Sequence, residues 1–128
     1  MVENNNDEIC NFAVSVDAKD GFTTGISAQE RANTILKIVD EKSKADDFIR
    51  PGHIFPLLAS DGGVLKRAGH TEATIDLCKL SNMKEVGVIC EILNKDGTMA
   101  RLPDLKKISK KTGIKIFTVE KLIKFQKK

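Results

Sequence analysis

Apolar and polar positions along the 128-residue chain change period several times, and each change marks an element. Alternating Phe12, Val14 and Val16 within Ile9–Val16 predict a strand. Asp20-Gly21 predicts a turn, after which Ser27, with Glu30 three places on, forms a capping box. The helix it opens, about 28–41, is expected to bury Ala32, Ile35, Leu36 and Val39. Residues 51–69 are broken by Pro51, Gly52, Pro56, Gly62, Gly63 and Gly69 around one apolar stretch, HIFPLLA, as expected of loops lining a site. A helix over 72–80 follows, with Ala73, Ile75, Leu77 and Leu80 as a partial stripe. VGVICEIL, 86–93, is almost continuously apolar and predicts a central strand covered on both faces. Asp96-Gly97 predicts a hairpin turn leading to a strand at 98–102. Pro103 opens and Gly113 closes a helix over 104–111, before a short strand at 115–118 and a terminal helix at 119–125. Strands alternating with helices predict a layered α/β (α+β) fold, a mixed sheet flanked by helices, in a single domain over 1–128. There are no internal repeats or low-complexity stretches.

Composition narrows the class of protein. Hydrophobic residues make up 41% and charged residues 30%, the balance of a globular chain. No apolar run is long enough to span a bilayer, and MVENNNDEICN is too polar for a secretory signal, so the expected location is the cytoplasm, with no membrane partner. Cys10, Cys78 and Cys90 are odd in number and lack CxxC spacing, which suggests neither a disulfide framework nor a zinc knuckle; Cys78 and Cys90 are expected to be buried thiols. The net charge of +3 is uneven. Nine lysines from Lys106 onward face a single acid, Glu120, whereas the preceding residues carry 12 basic against 17 acidic side chains, a net of −5. Apolar residues recur between those lysines, the pattern of a solvated helix face, and Tyr and Trp are absent; a nucleic-acid partner is not expected.

Candidate chemistry concentrates at KRAGHTEATIDL. Arg67, Gly69 and Thr71 at a helix start suit an anion: free N–H groups, close backbone approach and a two-pronged donor. His70 in the same turn is placed to ligate a metal or move a proton beside that anion. The competing reading is that Thr71 only caps the helix and His70 faces water. Glu91 is a carboxylate in an apolar run, fit for proton transfer if buried there; the alternative pairs it with Arg101 across the hairpin. His53, pinned after Pro51-Gly52, is either a placed proton carrier or a turn histidine bonded to backbone groups. Thr23, Thr24 and Gly25 form a weaker candidate for a phosphate contact.

Together, GFTTGISAQERANT, RPGHIFPLLASDGGVLKRAGHTEATIDL and GVICEILNKDGTMARLPDL resemble the 3,4-dihydroxy-2-butanone 4-phosphate synthase family, in order and over essentially the whole chain. The resemblance implies conversion of ribulose 5-phosphate to the four-carbon phosphate plus formate, in riboflavin biosynthesis, by a magnesium- (or manganese-) dependent homodimeric lyase. It further implies that Arg67, Ala68, Gly69, His70, Thr71 and Glu91 bind substrate, that His70 ligates the metal, and that His53 and Glu91 are catalytic. The implied reaction removes a proton beside the carbonyl, passes through enediols, shifts the skeleton and releases formate, which needs proton carriers and a cation that stabilises enolate charge.

The family's acidic N-terminal loop, source of the metal's carboxylate ligand, has no counterpart here. The chain is therefore expected to be the C-terminal three-fifths of a domain of about 200 residues. Little activity is expected of it alone, as is an exposed apolar surface that favours association. The alternative is a non-catalytic remnant that binds phosphate or regulates.

Overall fold

The computed structural model describes residues 11–128. They fall into two compact units, divided after Ala59. In the first unit, β2 (Val16–Ala18) pairs antiparallel with β3 (Phe48–Ile54). Ala18 faces Phe48 and Asp17 faces Ile49, but Val16 faces Ile54, so residues 50–53 bulge out of register opposite one step of β2. A bulge re-aims the side chains it carries, and His53 is one of them. Gly52 sits where the strands touch: its N–H donates to the Ser15 carbonyl at 3.0 Å, and a Cβ there would overlap the backbone of Val16 and Asp17. A second antiparallel pair joins β1 (Asn11–Phe12) to β4 (Leu57–Leu58).

Helix α1 (Ala28–Val39) begins at the expected cap, where the Ser27 side chain accepts the Glu30 N–H. Its buried face differs from the expected one. Thr34 is its fully buried residue and Ile35 is half-buried, whereas Ala32 and Leu36 are exposed. The reason is a polar anchor: the Thr34 hydroxyl accepts the buried Ala18 N–H at 2.9 Å and donates to the Glu30 carbonyl. A short 3-10 turn, Ala45–Asp47, leads into β3.

The second unit is helical. α2 (Gly63–Lys66), α3 (His70–Leu80) and α5 (Val119–Gln126) meet around Val64, Ala73 and Leu122, with Leu77, Val119 and Ile123 packed against them. Between α3 and α5 lies α4 (Leu102–Thr112), opened by Pro103 and closed by Gly113 at φ 75°. Thr118 caps α5 by accepting the Lys121 N–H. These ends fall within a residue or two of expectation because caps are local.

The expected strands fare differently. Ile9–Val16 is not one strand: its described part divides between β1 and the start of β2, and Ile9 and Cys10 lie outside the described residues. The 86–93 segment is not a buried central strand; it is extended and exposed, including Val88, Ile89, Ile92 and Leu93. A run apolar on both faces needs strands on both edges and a layer on each face. Among the described residues it has one narrow partner, 98–100. Their hairpin turns where expected, with Asn94 N–H on the Thr98 carbonyl at 2.7 Å and Ala100 N–H on the Ile92 carbonyl at 3.0 Å, but amounts to a single bridge, Leu93 with Met99. Residues 115–118 are also without strand pairing, and Ile116 and Phe117 are exposed. Consequently the described sheets are two antiparallel pairs, not one mixed sheet. Cys90 is exposed rather than buried, while Cys78 is half-buried. No helix among the described residues is long and apolar enough to cross a membrane.

Candidate functional site

In the second unit, the turn 67–71 is built on α3. Gly69 is its N-cap, and His70 and Thr71 are its first two helical residues, so Thr71 is not the cap. The first N–H groups of such a helix have no carbonyl partner within it, and Arg67 stands just before them. Arg67 is aligned by a residue that the sequence pattern did not single out. Glu72, 1% exposed, accepts Arg67 Nη1 at 2.6 Å and the Ser60 N–H at 3.0 Å. Burial raises the Glu72 carboxyl, but the Ser60 N–H, its own N–H and the Arg67 guanidinium outweigh that and leave it below the ordinary value. Gly69 lies against this pair, and a Cβ there would displace the ends of Arg67 and Glu72. One turn further along α3, the buried Asp76 accepts the Val64 N–H at 2.8 Å. Two carboxylates, four residues apart on one helix face, thus fasten the glycine-rich stretch beneath the turn. His70 and Ala68 are exposed, Thr71 half-buried.

Metal ligation fits these residues poorly. Magnesium takes oxygen donors, typically carboxylates, whereas the turn offers the His70 imidazole and a Glu72 carboxylate already committed to Arg67 and Ser60. No group of three or more His, Cys, Asp or Glu able to hold a metal occurs among the described residues.

Glu91 lies on the exposed 86–93 segment. No ion pair joins it to Arg101, whose backbone N–H donates to Asp104 Oδ2 at 3.1 Å. The acid that is buried in a strand is Asp17.

In the first unit, the His53 ring meets that acid: Nδ1 lies 2.7 Å from Asp17 Oδ2, and the His53 N–H donates to Asp17 Oδ1 at 3.0 Å. Asp17 is 1% exposed. Gly25, buried at φ +74°, closes over the pair. The turn carrying Gly25 already holds an anion of its own. The N–H groups of Thr23, Thr24 and Gly25 and the Thr23 hydroxyl all donate to Glu30 Oε1 at 2.7–3.1 Å, and the Ser27 hydroxyl donates to Oε2. The Gly25 N–H first, then Ser27 and Thr23, hold the Glu30 carboxyl well below the ordinary carboxylate range. That removes these groups from phosphate binding.

Arg67, Ala68, Gly69, His70 and Thr71 are therefore one turn, while His53 belongs to the other unit and Glu91 to an exposed segment. Asp17, Glu72 and Asp76 were missed. Acids within apolar context, and an i,i+4 pair after a glycine-rich loop, were the available signals.

Five α-helices and two small sheets among the described residues, with an arginine set just before a helix start, make an α/β protein. Solved structures share that fold. A 3,4-dihydroxy-2-butanone 4-phosphate synthase from Candida albicans superposes with a TM-score of 0.89 at 43% identity, over 93% of this chain and 61% of that one. A synthase of the same name in complex with two magnesium ions gives 0.82 at 31% identity, over 98% and 63%. The chain belongs to the 3,4-dihydroxy-2-butanone 4-phosphate synthase family, whose model matches residues 1–125. The riboflavin biosynthesis protein RibBA of Chlorobium phaeovibrioides is 58% identical over 117 residues, 91% of this chain but 28% of that protein. The chain spans under a third of the length of such curated relatives and about three-fifths of the solved synthases.

Proposed function

We propose that this chain carries part of a site that converts D-ribulose 5-phosphate to L-3,4-dihydroxy-2-butanone 4-phosphate and formate. The observation that carries the reading is the 67–71 turn, where Arg67 is held over the first turn of α3 by buried Glu72. A guanidinium fixed beside helix N–H groups offers a dianion both charge and directed donors. Arg67, with the backbone of Ala68, Gly69 and Thr71, holds the phosphate in this reading. His53 moves the proton beside the carbonyl, and Glu91 acts as the second acid/base once substrate and a covering layer desolvate it. His70 would contribute a single imidazole to a magnesium or manganese ion, a donor set too small to hold it by itself. Residues 1–128 act as one portion of a single synthase domain, in a cytoplasmic homodimer. A phosphate-binding remnant without turnover is the second reading, favoured by the exposure of Glu91 and the poor metal donor set.

Calorimetric titration of the chain with ribulose 5-phosphate, and separately with ribulose, tests the phosphate site. Arg67→Met is expected to weaken binding at least tenfold, with ribulose itself binding no better to either form. Equal binding of the sugar with and without its phosphate refutes the reading. Formate release with magnesium separates the two alternatives: the isolated chain is expected to show little, and family-like turnover would exclude the remnant.

A further inference from the structure

We propose that Asp17 is a positioning residue that keeps the proton of His53 on Nδ1 and so presents Nε2 as the proton acceptor. The proposal rests on the reading above that His53 carries a proton in the reaction, and it concerns a residue to which that reading gives no role.

A carboxylate can only accept, so the ring nitrogen 2.7 Å from Asp17 Oδ2 is the one that bears hydrogen. The same carboxylate takes the backbone N–H of the same residue at 3.0 Å, which fixes the ring relative to its own main chain. Turning the ring over about Cβ–Cγ would put Cδ2 where Nδ1 lies and lose the bond to Asp17 Oδ2. That bond is packed against Gly25, where an added Cβ would overlap both Asp17 Oδ2 and His53 Nδ1. The Gly25 N–H in turn donates to Glu30 Oε1 at 3.0 Å. Three separate stretches, β2, the bulged part of β3 and the 23–25 turn, therefore converge on one face of one imidazole. The His53 side chain is 42% exposed against 2% for Asp17.

A strand staple would not need this arrangement. Burying a carboxylate is costly unless it is well bonded, and the β2–β3 contact already has backbone pairing on both sides of the bulge. A neutral side chain such as that of Thr34, which serves α1 in the same unit, would suffice for packing. What a carboxylate adds is a fixed tautomer, the arrangement by which a neutral imidazole becomes a directed base.

The test is nitrogen-15 NMR of the histidine rings in the unaltered chain, at a pH where their carbon-bound proton shifts have reached the basic plateau. Only His53 and His70 occur, and His70→Asn separates them. His53 is expected to show a protonated Nδ1 and a pyridine-like Nε2, with a bias on the order of tenfold or more, the scale of a hydrogen bond to a charged acceptor. Asp17→Asn, of equal volume, is expected to reduce or invert that bias. A His53 with its proton on Nε2 overturns the proposal, as does an Asp17→Asn chain with the bias unchanged. Should Asp17→Asn not fold, the unaltered chain still decides. The readout needs no turnover, so failure to bind ribulose 5-phosphate or release formate would sink the synthase reading and leave this result standing.

Discussion

Replacing Glu72 by alanine isolates the contribution of one buried side chain to the turn that precedes α3. Its carboxylate accepts the Ser60 N–H at 3.0 Å and Arg67 Nη1 at 2.6 Å. Alanine leaves the Ser60 N–H without that acceptor, a cost of about 1–3 kcal/mol for a donor away from water. The Arg67 bond is charge-assisted, but its side chain is 34% exposed, so water recovers much of the loss; its share is nearer 1 kcal/mol than the 3–5 kcal/mol of a fully buried pair. The expected destabilisation is about 2–4 kcal/mol. At roughly 0.05–0.15 kcal/mol per residue, the unit formed by residues 60–128 has a stability of only a few to about 10 kcal/mol, so the variant should be marginal. Urea unfolding followed by far-UV circular dichroism is the suitable assay, because the chain has neither Trp nor Tyr. With a slope near 1 kcal/mol per molar urea, the midpoint should fall by about 2 M or more. Glu72→Gln keeps an acceptor for Ser60 and should fall less. A double-mutant cycle with Arg67→Met should return a coupling of about 1 kcal/mol. A Glu72→Ala midpoint within 0.5 M of the parent would refute the reasoning.

Three further outcomes are expected. Gly52→Ala places a methyl group against the backbone of Val16 and Asp17 and should cost about 1–3 kcal/mol, read as a lowered melting midpoint with loss of amide protection at Ala18. Asp76→Ala strands the Val64 N–H and should cost about 1–3 kcal/mol, seen as faster amide exchange at Val64. The Glu72 carboxyl is depressed in the folded chain, so its contribution is fully present above its ordinary value of 4.5 and is lost as pH falls through the depressed folded value. Below about pH 4.5 the parent should therefore lose stability more steeply than Glu72→Gln, and equal slopes would count against the assignment.

Which features the sequence made legible follows from how far apart their partners lie. Helix ends were readable because Ser27 with Glu30, Pro103 and Gly113 act within a turn of the backbone they serve. The 67–71 turn was readable for the same reason. The strand at 86–93 was misread because periodicity reports a capacity to be buried, not the presence of neighbours to bury it. Likewise the apolar face of α1 was assigned by spacing alone, whereas Thr34 chose the buried face by bonding Ala18, 16 residues away. Asp17 and His53 are 36 residues apart and Glu72 and Ser60 are 12 apart. Nothing in either local pattern announces such a partner. The reasoning that flagged Glu91, an acid amid apolar residues, expected burial there, whereas the acid that the fold encloses in a strand is Asp17.

The 23–25 turn has a consequence for what the molecule ignores. Its three converging amides would attract any small oxyanion, yet Glu30 sits five to seven residues away on the same chain and never has to diffuse there. A tethered group of this kind competes at an effective concentration on the order of millimolar or above. Inorganic phosphate or sulfate at ordinary cellular levels would have to evict it and gain little. The amides of the turn are thus satisfied from within the chain, and a free oxyanion meets one fewer place to bind.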